Sequence, residues 1–207
     1  MTGAHNVDHF TDVSRETRER LETYAELLKK WNPKINLVSA STLPDLWTRH
    51  FRDSAQILSL APLDARIWAD LGAGGGFPGL VVAIIGHETR PDLEMTCVES
   101  DQRKATFLRT VIRETGVSAR VVVDRIEKAA PIGADVVSAR ALAPLGRLLD
   151  YAERHLSADG VALFPKGAGF QKEVADALER WSFDLDTYPS ATDPDATVLK
   201  IGELRRV

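Results

Sequence analysis

The chain has 207 residues, 44% of them hydrophobic, and a formal net charge of −4. That is enough apolar material for one sizeable core, and the acidic balance excludes a generally basic, nucleic-acid-coating surface. No run approaches the roughly 20 apolar residues a bilayer span requires, the polar start 1–8 lacks the charged and apolar regions of a secretion signal, and the single cysteine, Cys97, cannot form an internal disulfide. A cytoplasmic protein with one main core is expected. Cys97 and the five histidines show no zinc-ligand spacing, so no metal is expected. Cys97 falls in an apolar stretch, which assigns it to packing.

Leu21, Tyr24, Leu27, Leu28 and Trp31 recur at helical spacing. They predict an amphipathic helix over 14–31, capped by Ser14 and broken at Asn32-Pro33. A short segment at 35–38 follows, and 42–60 resumes helical periodicity through Leu46, Phe51, Ile57 and Leu58. Residues 1–62 thus read as an N-terminal helical extension. From 65 onward short strands alternate with helices: strand 65–71, helix from Pro78, strand 93–98, helix 102–115, strands 119–123 and 134–138, helix 144–155, strand 161–164 and helix 170–181. That alternation is the signature of a parallel sheet. Residues 183–188 and 197–201 add two strands with no helix between them, a hairpin on the sheet edge. The predicted class is α/β: over 63–207, a Rossmann-like, mostly parallel seven-stranded sheet with helices on both faces.

The densest chemical signal lies after the first strand, in Asp70-Leu71-Gly72-Ala73-Gly74-Gly75-Gly76-Phe77-Pro78-Gly79. Glycines there let the backbone turn tightly and approach a ligand closely, and Pro78 suits the first turn of a helix. A dinucleotide-binding G-x-G-x-x-G starting at Gly72 needs a third glycine at position 77, which holds Phe77. The looser D-x-G-x-G-x-G instead resembles the first motif of class I methyltransferases that use S-adenosylmethionine (SAM). Glu99, closing the second strand, is placed to accept hydrogen bonds from both ribose hydroxyls of an adenosine-type cofactor. That device serves NAD and SAM alike. Ile126-Glu127, after the third strand, can border an adenine, although Ile126 by itself reads as core.

Basic residues are local. Arg103, Lys104, Arg109, Arg113, Arg120 and Arg125 stand against Asp101, Glu114 and Asp124, either as an RNA contact or as an ordinary solvated helix face. Lys29, Lys30 and Lys34 match the negative end of the preceding helix.

Several separated segments together resemble one family, the small-subunit ribosomal RNA guanine-N7 methyltransferases known as RsmG, formerly GidB. They are Trp31-Asn32-Pro33-Lys34-Ile35-Asn36-Leu37, Arg49-His50-Phe51-Arg52-Asp53-Ser54, the loop of 72–79, Arg125-Ile126-Glu127, Asp135-Val136-Val137-Ser138-Ala139-Arg140-Ala141 and Lys166-Gly167. The resemblance covers most of the chain and fades after Trp181, where no functional residue is placed. It implies SAM as cofactor, held by Gly72, Phe77, Ile126, Glu127 and Arg140, beside Gly74 and Glu99 from the loop and strand reading. It also implies methyl transfer to N7 of a guanine in 16S rRNA. No general base is needed for that acceptor. With few basic residues in excess, naked RNA should bind weakly, so an assembled or partly assembled small subunit is the expected substrate. Arg140 either neutralises the methionine carboxylate, holds the guanine, or pairs structurally with Asp135 or Asp150. Arg125 and Lys166 are candidates for contact with the substrate RNA, and Arg49, His50 and Asp53 for covering the cofactor or touching RNA, with simple packing the alternative for His50. Two rival readings are a SAM methyltransferase for another RNA or a small molecule, and a noncatalytic nucleotide-binding module.

Overall fold

A computed structural model describes residues 13–207; the polar start 1–8 lies outside the described residues. The first element, α1 (Arg15–Ile35), opens on Ser14, whose hydroxyl oxygen accepts from the Thr17 N–H. Four short helical segments follow: a 3-10 turn (Ala40–Thr42), a π-helical segment (Trp47–Arg52), α2 (Asp53–Ala55) and a second 3-10 segment (Gln56–Leu60). Then come β1 (Ile67–Leu71), α3 (Gly79–Thr89), β2 (Glu94–Val98), α4 (Gln102–Thr115), β3 (Ala119–Val122), β4 (Ala134–Ser138), α5 (Leu145–His155), β5 (Leu156–Lys166), α6 (Phe170–Leu178), β6 (Trp181–Pro189) and β7 (Thr197–Arg206).

The strands form one seven-stranded sheet in the order β3-β2-β1-β4-β5-β7-β6. The first five run parallel, and β7 is antiparallel to both of its neighbours, β5 and β6. The period-two alternation of each strand divides the core into two layers. Trp68, Met95, Cys97 and Val136 point to the side covered by α1, α3 and α4. Ala69, Leu71, Val98 and Val137 point to the side of Leu145, Leu149 and Trp181. Cys97 is fully buried, and burial pushes its thiol well above the usual range. The apolar run of α3 is buried all round, because α1 and α2 cover the flank that the sheet does not.

Two departures from the sequence expectation concern the N-terminal region. First, α1 runs through Pro33 to Ile35 and ends at Asn36, which adopts a left-handed φ of 50°. Proline removes one backbone donor in the last turn. The buried Asn32 compensates: its carbonyl oxygen accepts from the Asn36 N–H, and its side-chain oxygen from the N–H groups of Leu37 and Val38. The chain is therefore turned by a side-chain cap after the proline, and does not break at it. Second, 42–60 is not one helix. Its apolar spacing fits a mixture of tight and wide turns as well as a regular α-helix, and the π-helical segment, a form frequent at functional sites, puts Phe51 in the core beside Arg49 and His50 of the cleft.

Towards the C-terminus, β5 starts at Leu156 and not at 161, with a register irregularity between Ala134 and Val136 of its neighbour. Helix α6 stops at Leu178, and Trp181 opens β6, buried beneath the Arg206 guanidinium at 4.4 Å. Among the described residues no helix is long and apolar enough to cross a membrane.

Candidate active site

Because the sheet winds outward from β1 through β2 to β3 and then returns to β4, a crevice opens between β1 and β4 at their C-terminal ends. Such a switch point is where open α/β sheets bind ligands. The loop 72–78 occupies it. Gly72 has a φ of 66°, a conformation that side chains resist, and a Cβ there would fall 2.6 Å from the Leu142 side chain. At the loop's far end the backbone N–H of Gly79 donates to Asp70 Oδ2 (3.0 Å), and a Cβ on Gly79 would stand 2.6 Å from that of Asp70. Glycine is thus required at 79 for close approach.

Asp70 is fully buried under the loop. Its second oxygen accepts from the Ser138 hydroxyl (2.6 Å), whose oxygen accepts from Trp68 Nε1 (2.9 Å). Burial raises its pKa to about 6, opposed by the bonds from Ser138 and Gly79 and by the charge of Arg140. A folded-state pKa above the unfolded one makes the ionised form a cost that is absent below about pH 4 and fully present above about pH 6, worth about 3 kcal/mol. Denaturation of the wild type and of Asp70→Asn across this range is therefore expected to show the wild type losing stability relative to the variant as pH rises from about 4 to 6, then holding a constant difference. A pH-independent difference would exclude a proton on Asp70.

Gly72, Gly74, Phe77, Glu99, Arg125, Ile126, Glu127 and Arg140 all line one cavity of about 880 Å³, within the range of small-molecule sites. Glu99 spans its floor: Oε2 accepts from Gly74 N–H (2.9 Å) and Oε1 from Asp101 N–H (2.7 Å). Each oxygen keeps further acceptor capacity. Ile126 is at once core and wall, nearly buried in the core and lining the cavity. Phe77 stacks on Tyr24 with ring centroids 5.3 Å apart and meets Phe51 edge-on, so the apolar wall is held by α1 and the π-helical segment. The Tyr24 hydroxyl donates to the Gly75 carbonyl.

Arg140 pairs with neither Asp135 nor Asp150. Asp135 accepts from the N–H groups of Arg66 and Ile67, and Asp150 faces Arg206. Asp135 stands at the start of β4, the end of the strand away from the cleft, and α5 turns Asp150 towards Arg206 of β7. Arg140 instead reaches the N-terminal region, donating to Asp53 Oδ2 (3.0 Å), the Arg49 carbonyl (3.1 Å) and His50 Nδ1 (2.7 Å). His50 has its pKa lowered to about 4, first by burial and then by the charges of Arg140 and Arg49. It is neutral, with Nδ1 accepting from Arg140 and Nε2–H donating to Thr42 Oγ1 (2.8 Å), an assignment made from the network.

Lys166 lies outside this cavity, in a neighbouring one of about 760 Å³, where it pairs with Glu173 at 2.7 Å. The two cavities share a wall of Arg49, Arg140, Ala141 and Asp193. Of the basic residues considered for RNA, Arg120 is turned inward to Thr96 Oγ1 (2.9 Å), and Arg113 is held by Glu114 (2.8 Å). Lys104 and Arg125 stand at the rim of the first cavity. Sequence reasoning placed nothing after Trp181, yet the β6–β7 turn contributes Thr192 and Asp193. The turn residues Asp193-Pro194-Asp195 between two strands were the available signal. Among the described residues there is no cluster of three or more metal-ligating side chains.

The model of the family described as rRNA small subunit methyltransferase G matches residues 17–195. A protein of Ruegeria pomeroyi named ribosomal RNA small subunit methyltransferase G is 53% identical over 196 residues, 95% of this chain and 96% of its own length. The protein of that name from Paracoccus denitrificans is 54% identical over 194 residues, 93% of this chain and 98% of its own. The crystal structure of a SAM-dependent methyltransferase from Aquifex aeolicus shares the fold, with a TM-score of 0.60 at 11% identity over 76% of this chain and 92% of that one. The sheet order, the loop over Asp70 and these near full-length identities agree: the chain belongs to the rRNA small subunit methyltransferase G family.

Proposed function

We propose that this protein transfers a methyl group from SAM to N7 of a guanine in the 16S rRNA of the small ribosomal subunit. The observation that carries the reading is the 880 Å³ cleft at the switch point, whose glycine loop, Glu99 and Ile126 suit an adenosine-type cofactor, in a chain of a family named for small-subunit rRNA methylation. The residues fit that cofactor: Glu99 has acceptor capacity left for ribose hydroxyls, Ile126 and Glu127 border the adenine, Gly72 and Gly74 leave room for the methionine portion, and Phe77 and Arg140 close the wall beside it. When bound, SAM supplies an electrophilic methyl on a sulfonium sulfur, which the in-plane N7 lone pair attacks while the carbon–sulfur electron pair returns to sulfur.

N7 carries no proton to remove, and the cleft agrees with an acceptor of that kind. His50, the only imidazole lining it among the described residues, has both ring nitrogens engaged. The chain's work is to align the acceptor and exclude water. In this reading residues 1–62 are an extension to a catalytic domain of 63–207; its described part, from 13 to 62, closes one side of the cleft, and the Arg140–Asp53 pair fastens the two. The net charge of −4 makes binding to naked RNA weak and salt-sensitive. An assembled or partly assembled subunit in the cytoplasm, presenting an unpaired base, is the substrate, since the A-form major groove that holds N7 admits no side chains. The test is labelled methyl transfer from SAM to small subunits lacking the modification, followed by strand cleavage at N7-methylguanine. One cleavage site in the small-subunit RNA is expected. Transfer to another atom or another acceptor overturns the reading.

A further inference from the structure

N7 is an acceptor in adenine as well as in guanine, so alignment on N7 does not choose between them. The choice lies on the Watson–Crick edge, where guanine presents two neighbouring donors, N1–H and the 2-amino group, and adenine presents a lone pair at N1. A carboxylate complements the first and repels the second. Enzymes that act on a base read that edge after taking the base out of its stack.

The second cavity, of about 760 Å³, is large enough for one nucleotide, and it adjoins the cofactor cleft, with Arg49, Arg140, Ala141 and Asp193 lining both as a shared wall. Asp193 is the one carboxylate of that wall. It sits in the β6–β7 turn, where Oδ1 accepts from the Asp195 N–H (3.0 Å) and Oδ2 has no partner among the described residues. Asp45 and Asp195 also line the second cavity but not the shared wall, and the two remaining acids, Asp53 and Glu173, are already engaged. Asp53 is engaged by Arg140, Gln56 and Thr192, and Glu173 by Lys166 and the Leu145 N–H. The turn that carries Asp193 is pinned in place, with Thr192 donating to Asp53 and the Ala191 N–H donating to Gln56 Oε1 (2.9 Å).

We propose that Asp193 is a specificity residue: its carboxylate accepts from N1–H and the 2-amino group of an extruded guanine lodged in the second cavity, with N7 turned to the cofactor cleft. The proposal rests on the guanine-N7 reading above. Its test compares small subunits reconstituted with guanine or with inosine, which lacks the 2-amino group, at the target position. For the wild type, kcat/KM for guanine is expected to exceed that for inosine by about tenfold or more. Asp193→Ala is expected to lower transfer to guanine and bring the ratio close to one. Asp193→Asn, which keeps an oxygen for the turn, is expected to reduce the ratio while the protein stays folded. SAM affinity, measured by calorimetry, should stay within about twofold of the wild type, as for groups that contact only the other substrate. An unchanged guanine-to-inosine ratio in the variants, or loss of SAM binding at an unchanged ratio, overturns the proposal. Wild-type methylation at an atom other than N7 overturns the functional reading instead, and the assignment of Asp193 with it.

Discussion

Replacing Arg140 by Ala is expected to lower kcat/KM for methyl transfer by about 10²-fold or more, the cost of losing alignment at a reacting centre, while the protein remains folded. Arg140 holds three acceptors of the N-terminal region at once, the Asp53 carboxylate, the Arg49 carbonyl and His50 Nδ1. It also stands 5.2 Å from the Phe77 ring centroid and forms part of the wall between the two cavities. Its side chain and that of Asp53 are only 17% and 16% exposed, so the pair is only partly screened by solvent. Truncation leaves Asp53 with Gln56 and Thr192 as partners, which limits the loss of stability to about 1–2 kcal/mol. Arg140→Lys separates the two roles. A lysine restores one point charge beside Asp53 but not the planar fork that reaches a carbonyl and an imidazole as well. Its melting temperature should return towards that of the wild type and its turnover should not. If both recover together, Arg140 is a charge anchor and takes no part in aligning the reactants.

The difference between what the sequence discloses and what it hides follows the distance over which each feature is determined. The glycine loop, Glu99 at the end of β2 and Ile126 after β3 are local signals, each fixed by its place behind a strand, and parallel pairing carries all three to the same cleft. The edge hairpin is equally local, because two strands with no helix between them pair antiparallel. The partner of Arg140 is different in kind. Asp53 stands far from it in the chain, and its approach depends on how the turns of 47–60 are wound, which apolar periodicity does not resolve. Asp193 was hidden for the same reason: an Asp-Pro-Asp run reads as turn chemistry, and only the docking of that turn on Gln56 and Asp53 brings it to the cavity wall. Pro33 misleads in the opposite sense, since a buried side-chain cap lets the helix pass a residue that local propensity treats as a stop.

Glu99→Ala is expected to weaken SAM binding by about 10²-fold or more, because two hydrogen bonds to a charged acceptor, each worth about 1.5–3 kcal/mol, are lost together. The same substitution strips the acceptor from the N–H groups of Gly74 and Asp101, so a fall in affinity alone does not distinguish a ligand contact from a loosened loop. A cofactor analogue makes that distinction. If Glu99 accepts from the ribose, a SAM analogue lacking the 2′- or 3′-hydroxyl binds the wild type less tightly than SAM does, whereas Glu99→Ala binds the two alike. If Glu99 only shapes the loop, the variant loses affinity for SAM and the analogue in equal proportion, and the wild type's preference survives. Glu99→Gln adds a third arm. It retains one acceptor oxygen but turns an amide N–H₂ towards a backbone N–H that needs an acceptor, so its affinity should fall between those of wild type and Glu99→Ala, about tenfold below the wild type. Titration of the three proteins with the two ligands by calorimetry therefore determines whether the carboxylate that ties Gly74 to Asp101 is also the one that reads the ribose.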